Sequence, residues 1–268
     1  MTRLGRRVLQ TARPPRDRAG DEHGRCSVCG AETRFVLNSW VLPADMAAEL
    51  GPHADAYRRR ESLWCRSCGA SLRIRGIAEA LLGHYADRAT SLAGLVQEPA
   101  FRELDVAEIN AVGTAHAVLA RLPRLRHTEY PEEDLLALSY ADASLDLVLT
   151  ADTIEHVPDP WQALRETRRV LRLGGRHVFT VPVVPGLEVS RARATLGPDG
   201  RVVHHVPAQY HGRAAGPLRV LSRPRADLLA FTDFGRDLVD RLRASGFEPE
   251  IHGDPDVYAG LVFCARAA

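Results

Sequence analysis

Between Ala141 and Pro182 the sequence writes out one complete β-α-β unit, and that unit confines the rest of the chain to a layered α/β fold. Leu145, Leu147, Val148 and Leu149 form a short apolar run, the pattern of a strand buried on both faces of a parallel sheet. A polar loop follows from Ala151 to Asp159 and holds Asp152, Glu155 and His156. Asp159 is placed to cap a helix, with Pro160 at its first position and Gln162 able to reach back to the cap. Trp161, Leu164 and Leu171 fall on one helical face, and Gly174-Gly175 is expected to end the helix. His177 to Val181 reads as a second buried strand. In open parallel sheets ligands bind outside the carboxyl ends of the strands, so the polar loop stands where chemistry is expected.

The run DASLDLVLTADTIEHVPDP, the tail ALRETRRVLRLGGRHVFTVP and their spacing resemble the type-11 branch of the class I S-adenosylmethionine-dependent methyltransferases. The resemblance runs from about Leu104 to the C-terminus. It implies a doubly wound, mostly parallel, seven-stranded Rossmann-like sheet and an enzyme that uses S-adenosylmethionine. In that family the first strand ends in an acid and a glycine-rich turn that lets backbone approach the cofactor. Here Leu104 to Ile109 is the strand and Glu108 keeps the acid. Asn110 takes the first glycine's place and tolerates a left-handed conformation. Val112 and Thr114 take the next two, with Gly113 one residue out of register. The resemblance makes Glu108, Asn110 and Gly113 cofactor residues. By the same resemblance Glu129 receives the ribose hydroxyls, Asp134 meets the adenine amino group, and Leu135 offers a backbone N–H and an apolar wall.

Asp152, Glu155 and His156 are expected along the cofactor edge. An imidazole suits proton transfer near neutral pH, so His156 has two readings, a general base or a group that fixes its own loop. From Val183 to about Leu229 the pattern gains Pro, Gly and His, in an insert longer than compact domains normally tolerate without a use. His204, His205, Tyr210 and His211 are grouped in it and suit an acceptor lid, with Tyr210 and His211 as further catalytic candidates. A helix is expected over Phe234 to Ser245, capped by Asp233. A closing strand pair is expected at Phe247 to His252 and Tyr258 to Cys264, with Cys264 a small core residue.

Upstream stand two C-x-x-C-G turns, Cys26 to Gly30 and Cys65 to Gly69. Each presents two thiolates to one metal, and together they complete a closed tetrahedral shell suited to structural Zn²⁺. Four thiolates leave no open position for water or substrate. Phe35, Trp40, Val41 and Leu42 lie between the turns with a candidate helix from Pro43 to Leu50, and a second helix is expected from Ile77 to Tyr85. The domain reading is a flexible leader at 1–24, a four-cysteine head at 25–85, a connector at 86–103, and a methyltransferase domain at 104–268 with its lid at 183–229.

Composition narrows the partners. With 268 residues, 45% apolar, there is material for a sizeable core, and a formal charge of +1 is not that of a broad nucleic-acid-binding face. Every basic side chain apart from histidine is arginine, which removes a lysine Schiff base from consideration. No apolar run would cross a bilayer, and the arginines near the start have no apolar stretch behind them, so neither a membrane span nor a secretory signal is expected. Paired cysteines of this spacing point to a reducing, cytoplasmic setting. The expected activity is methyl transfer to an O, N or C atom of a small molecule, of the natural-product or sugar type found in secondary metabolism. Two alternatives stand beside it. One is a methyltransferase-like scaffold without methyl transfer, drawing on the altered glycine turn. The other is a zinc-headed RNA methyltransferase, which lacks support because Thr150-Ala151-Asp152-Thr153 replaces the N-P-P-Y or D-P-P-Y motif used on base amino groups. Oligomeric state is not legible.

Overall fold

The apolar run of the β-α-β unit lies in the middle of a sheet, covered on both faces. The structure, a computed structural model, describes residues 22–37, 47–48, 50–210, 228–253 and 261–268. Trp40, Val41, Leu42, Pro43, Tyr258 and His211 therefore lie outside the described residues. Three antiparallel strands, β1 (Glu22–Arg25), β2 (Glu32–Leu37) and β3 (Leu63–Cys65), form the head in the order β1-β2-β3. Helix α1 (Ala54–Ser62) precedes β3, and α2 (Leu72–Tyr85) follows the second cysteine turn. Ser71 caps α2 by accepting the Ile74 N–H, so the helix starts five residues earlier than the apolar pattern predicts.

The larger sheet holds β4 (Val106–Ile109), β5 (Leu125–Thr128), β6 (Leu145–Ala151) and β7 (Leu171–Thr180), all parallel to one another. The insert carries β8 (Arg191–Ala192), β9 (Ala194–Leu196), β10 (Val202–His204) and β11 (Thr232–Asp233), in two small ribbons. The chain closes with β12 (Phe247–His252) and β13 (Val262–Ala267), giving the order β12-β13-β7-β6-β4-β5 with β13 antiparallel to both neighbours. Among the described residues this sheet has six strands, where seven were expected. The stretch 129–144 between β5 and β6 forms turns instead, because Glu133 takes the Ser139 N–H and hydroxyl and Arg169 takes the carbonyls of Leu138 and Tyr140. The last strand also sits later than expected, ending at Ala267.

Period-two alternation sends residues to two cores. Val106, Leu147, Leu149, Val178, Val262 and Cys264 face α2, whereas Ala107, Val148, Phe179, Phe263 and Ala265 face α3 (Pro160–Val170) and α4 (Leu238–Ala244). Asp159 caps α3 as expected, its Oδ1 accepting the Gln162 N–H at 2.9 Å. The buried stripe of α3 is Ala163, Leu164, Thr167 and Val170, and the helix ends there rather than at the glycine pair. Leu171 already belongs to β7. Gly174, at φ 81°, sits where pairing slips from Leu145–Leu171 to Leu147–Arg176. Helix α4 is shorter than expected, and Asp233 does not cap it. No described helix is long and apolar enough to cross a membrane.

His177 lies inside the sheet, fully buried, with Nε2 3.0 Å from the Thr150 hydroxyl. Burial pushes this imidazole down to about 3. Between that value and the ordinary His value near 6.5 the unfolded chain binds a proton that the folded chain refuses, so stability falls as pH drops through this window. The loss is about 2 kcal/mol at pH 5. His177→Gln should therefore narrow the gap between melting temperatures at pH 7 and pH 5. An unchanged gap would place the acid sensitivity elsewhere.

Candidate active site and metal centre

The two cysteine turns are built alike. Cys26 N–H donates to the Ala31 carbonyl and Gly30 N–H to the Cys26 carbonyl; Cys65 and Gly69 repeat both bonds with Ala70 and Cys65. Gly30 and Gly69 take φ of 79° and 74°, which a side chain would resist. The four sulfurs lie within 4.8 Å of one another, with Cys26–Cys68 at 3.8 Å and Cys29–Cys65 at 3.9 Å. Zn–S bonds of about 2.3 Å in a tetrahedron require S···S separations of about 3.8 Å. The donor set therefore matches a closed zinc shell in both ligand type and spacing. The first turn also docks the head, since the Ser27 and Val28 carbonyls accept the N–H groups of Leu92 and Ala93.

At the end of β4, Glu108 is fully buried and accepts the Val112 N–H at 2.8 Å and His116 Nδ1 at 2.6 Å. It ties down the turn that follows. Asn110 and Gly113 take φ of 58° and 48°, so asparagine does adopt the left-handed corner that its place implies. Its side-chain oxygen accepts the Tyr130 N–H. Val112 keeps a negative φ and turns its side chain into the core. A Cβ on Gly113 would lie 3.0 Å from Ile74 Cδ1 on α2, so the head helix packs directly on this turn. Glu129, just past β5, is exposed, with His127 Nε2 at 3.8 Å. Asp134 is exposed too and accepts the Leu136 N–H, while Leu135 is buried beside it.

Asp152, which follows β6, is not left open to solvent. The fully buried Arg60 of α1 donates to both of its oxygens, at 2.9 and 2.6 Å, and Arg73 Nε lies 3.3 Å away. Thr180 Oγ1 donates a further bond at 2.8 Å, and Glu61 contacts both arginines. Burial alone would push the Asp152 carboxyl up, but the charges of Arg60 and Arg73 outweigh it and hold the group well below the usual carboxylate range. A residue expected to face the cofactor is thus the anchor by which the head grips the sheet edge.

Beside this anchor is a cleft of about 520 Å³, counting its open mouth. Pro182, Val183 and Val184 line it from the segment after β7, Leu50 and Tyr57 from the head, and Gln209, Ala230, Thr232 and Asp233 from the insert. Glu155 supplies its buried carboxylate. Burial raises the Tyr57 phenol above its ordinary value, so it keeps its proton. Asp233 is held by Arg193 at 2.8 Å and Arg191 at 2.8 Å.

Residues 91–179 match the family model described as a methyltransferase domain, Methyltransf_11. This segment is a methyltransferase domain. The 27-O-demethylrifamycin SV methyltransferase of Amycolatopsis mediterranei (strain S699) is 38% identical over 89 residues, which is 31% of this chain and 33% of that protein. An uncharacterized methyltransferase of Mycobacteroides abscessus is 29% identical over 127 residues, 45% of each. The chain spans about a third of the length of the first relative and under half of the second. A solved Burkholderia thailandensis 1,6-didemethyltoxoflavin-N1-methyltransferase, with 1,6-didemethyltoxoflavin and S-adenosylhomocysteine bound, aligns at a TM-score of 0.44 and 19% identity. That alignment covers 91% of this chain and 100% of the other.

Within the methyltransferase domain His156 is half-buried, and Nδ1 lies 2.9 Å from the Leu229 carbonyl. A carbonyl only accepts, so Nδ1 carries a hydrogen, and Nε2 lies 3.8 Å from Glu155 Oε1. Tyr210 bridges to Leu229 and packs on the apolar cluster of Ala194, Leu229 and Phe231. His204 and His205 lie exposed on the β9–β10 ribbon, and His205 Nε2 meets the Thr195 hydroxyl. The structure thus joins His156 to the insert and leaves these two histidines on the surface. Sequence reading missed Tyr57, Arg60 and Gln209, and gave Glu155 no role of its own. A tyrosine three residues before an arginine on a polar helix carries no signal until that helix is seen against the sheet.

Proposed function

We propose that this chain transfers the methyl group of S-adenosylmethionine to an oxygen, nitrogen or carbon atom of a small molecule, of natural-product or sugar type, and that its four clustered cysteines hold a structural zinc. The cleft carries this reading. It opens beyond the carboxyl end of the sheet, is walled by three separate parts of the chain, and presents a buried carboxylate and a phenol among apolar residues. Small-molecule sites have this mixture of apolar lining and a few placed polar groups.

The residues along the neighbouring strand ends fit the cofactor. Glu129 offers an exposed carboxylate to the ribose, Asp134 and Leu135 flank the adenine place, and the corners at Asn110 and Gly113, tied by Glu108, form the turn beneath the methionine part. The bound cofactor supplies an already activated methyl group. The chain's own task is to align the acceptor and exclude water. In this reading Tyr57 donates a hydrogen bond to the acceptor and Glu155 receives its proton. His156, held by the Leu229 carbonyl, stands behind Glu155, and Tyr210, with His211 next to it in sequence, belongs to the insert, whose described residues help line the cleft.

Calorimetry with S-adenosylmethionine and S-adenosylhomocysteine tests the reading. Binding by neither at millimolar concentration would leave the non-transferring scaffold as the better account. Glu129→Ala should weaken cofactor binding by roughly 1.5–3 kcal/mol for each charged hydrogen bond lost, at least about tenfold in Kd. An unaltered Kd would mean that the ribose is held by other groups.

A further inference from the structure

A second convergence of metal-binding side chains lies away from the cleft, where the far end of α2 packs on the closing strand pair. His84, in the last turn of α2, directs Nε2 at Nε2 of His252, the final residue of β12, across 3.1 Å. Their rings meet edge to face with centroids 5.1 Å apart. Cys264 of β13 is a free thiol, 1% exposed, and its sulfur lies within 4.8 Å of both nitrogens. Glu250 stands directly across the strand pair from Cys264, with Oε2 3.9 Å from His84 Nε2. Helix α2 and the closing strand pair, far apart in sequence, thus bring two imidazoles and a thiol together, with an exposed carboxylate at the rim beside His84.

A single hydrogen bond between opposite tautomers would satisfy the histidine pair. It gives no reason for a buried thiol to stand within 4.8 Å of both nitrogens. Two neutral imidazoles and one thiolate form a borderline-soft donor set that favours zinc over calcium or magnesium, and a carboxylate completes a tetrahedral shell. Zn–N bonds of about 2.0–2.1 Å need N···N separations of about 3.3–3.4 Å, so the imidazoles already stand near ligand spacing.

We propose that His84, His252 and Cys264, with Glu250 as the fourth donor, form a second zinc site separate from the four-cysteine head. Its effect is to clamp α2. The N-terminal turn of that helix carries Ile74 against Gly113 and Arg73 beside Asp152, and its last turn would be pinned to the closing strands. The proposal does not depend on methyl transfer.

Metal analysis of the full chain, dialysed after purification with zinc, tests it. Wild type should retain about two zinc ions per chain, and His252→Gln and Cys264→Ala, each with unchanged circular dichroism, about one. Zinc-edge X-ray absorption of the wild type gives a reading that no variant's folding can obscure. A mixed sulfur and imidazole-nitrogen shell supports the second site. A shell of sulfur alone, or folded variants with the wild-type zinc count, would overturn it.

Discussion

Cys65→Ser should yield a chain that no longer holds metal in the head, melts at lower temperature and loses affinity for cofactor and acceptor together. Structural zinc contributes on the order of 10–16 kcal/mol at neutral pH in small zinc modules, more than a whole domain's usual margin of about 5–15 kcal/mol. The metal shell is built into the packing of the head, since its sheet is three short strands and Cys26 and Cys65 are themselves part of its core. The loss reaches the cleft because the head supplies Leu50 and Tyr57 to the lining and Arg60 to the Asp152 anchor. Metal content, thermal melts followed by circular dichroism, and calorimetry read the three effects separately. A metal-free wild type with an intact, protease-resistant head would refute the zinc assignment.

Arg60→Met should cost about 3 kcal/mol of stability, read as a lower midpoint in urea. Removing one partner of a buried ion pair leaves an uncompensated charge and typically costs about 3–5 kcal/mol. The lower end applies because Arg73 Nε remains 3.3 Å from Asp152. Adding Asp152→Asn should recover part of the loss, as the stranded carboxylate is then gone and the two sites couple. The acceptor should also bind more weakly, because Arg60 and Tyr57 share helix α1 and the helix would no longer be fixed over the sheet edge. A loss below about 1 kcal/mol would show that the head is held by apolar packing, with the ion pair incidental.

The parts of this molecule that could be read from the chain are those whose causes are local. The β-α-β unit announces itself through an apolar run, an Asp-Pro cap and a second apolar run, and each signal acts within a few residues. The cysteine turns are equally self-contained, since a C-x-x-C-G sequence builds its own hydrogen bonds around a positive-φ glycine. The left-handed corner at Asn110 belongs to this group. Errors arose where a neighbour outranked the local pattern. Gly174-Gly175 has the look of a helix terminator, yet β7 pairs from Leu171 and draws the glycines into a slipped register. Helix α2 begins at Leu72 because Ser71 caps it, five residues ahead of the start that the apolar pattern suggests.

Asp152 marks the limit most clearly. Its place after β6 says only that it stands at the ligand edge of the sheet. Its partners, Arg60 and Arg73, lie 92 and 79 residues away in sequence and reach it through a folded head docked on the turn at Gly113. By itself, then, the sequence determined the sheet's central unit, the paired cysteine turns and the acid at the end of the first strand, because backbone propensity and short-range hydrogen bonding act on neighbours. Only the tertiary structure decided which charges are buried together, that the head walls the cleft, and that Glu155 rather than the surface histidines faces it. Those outcomes depend on desolvation and close packing between segments whose separation along the chain carries no record of their contact.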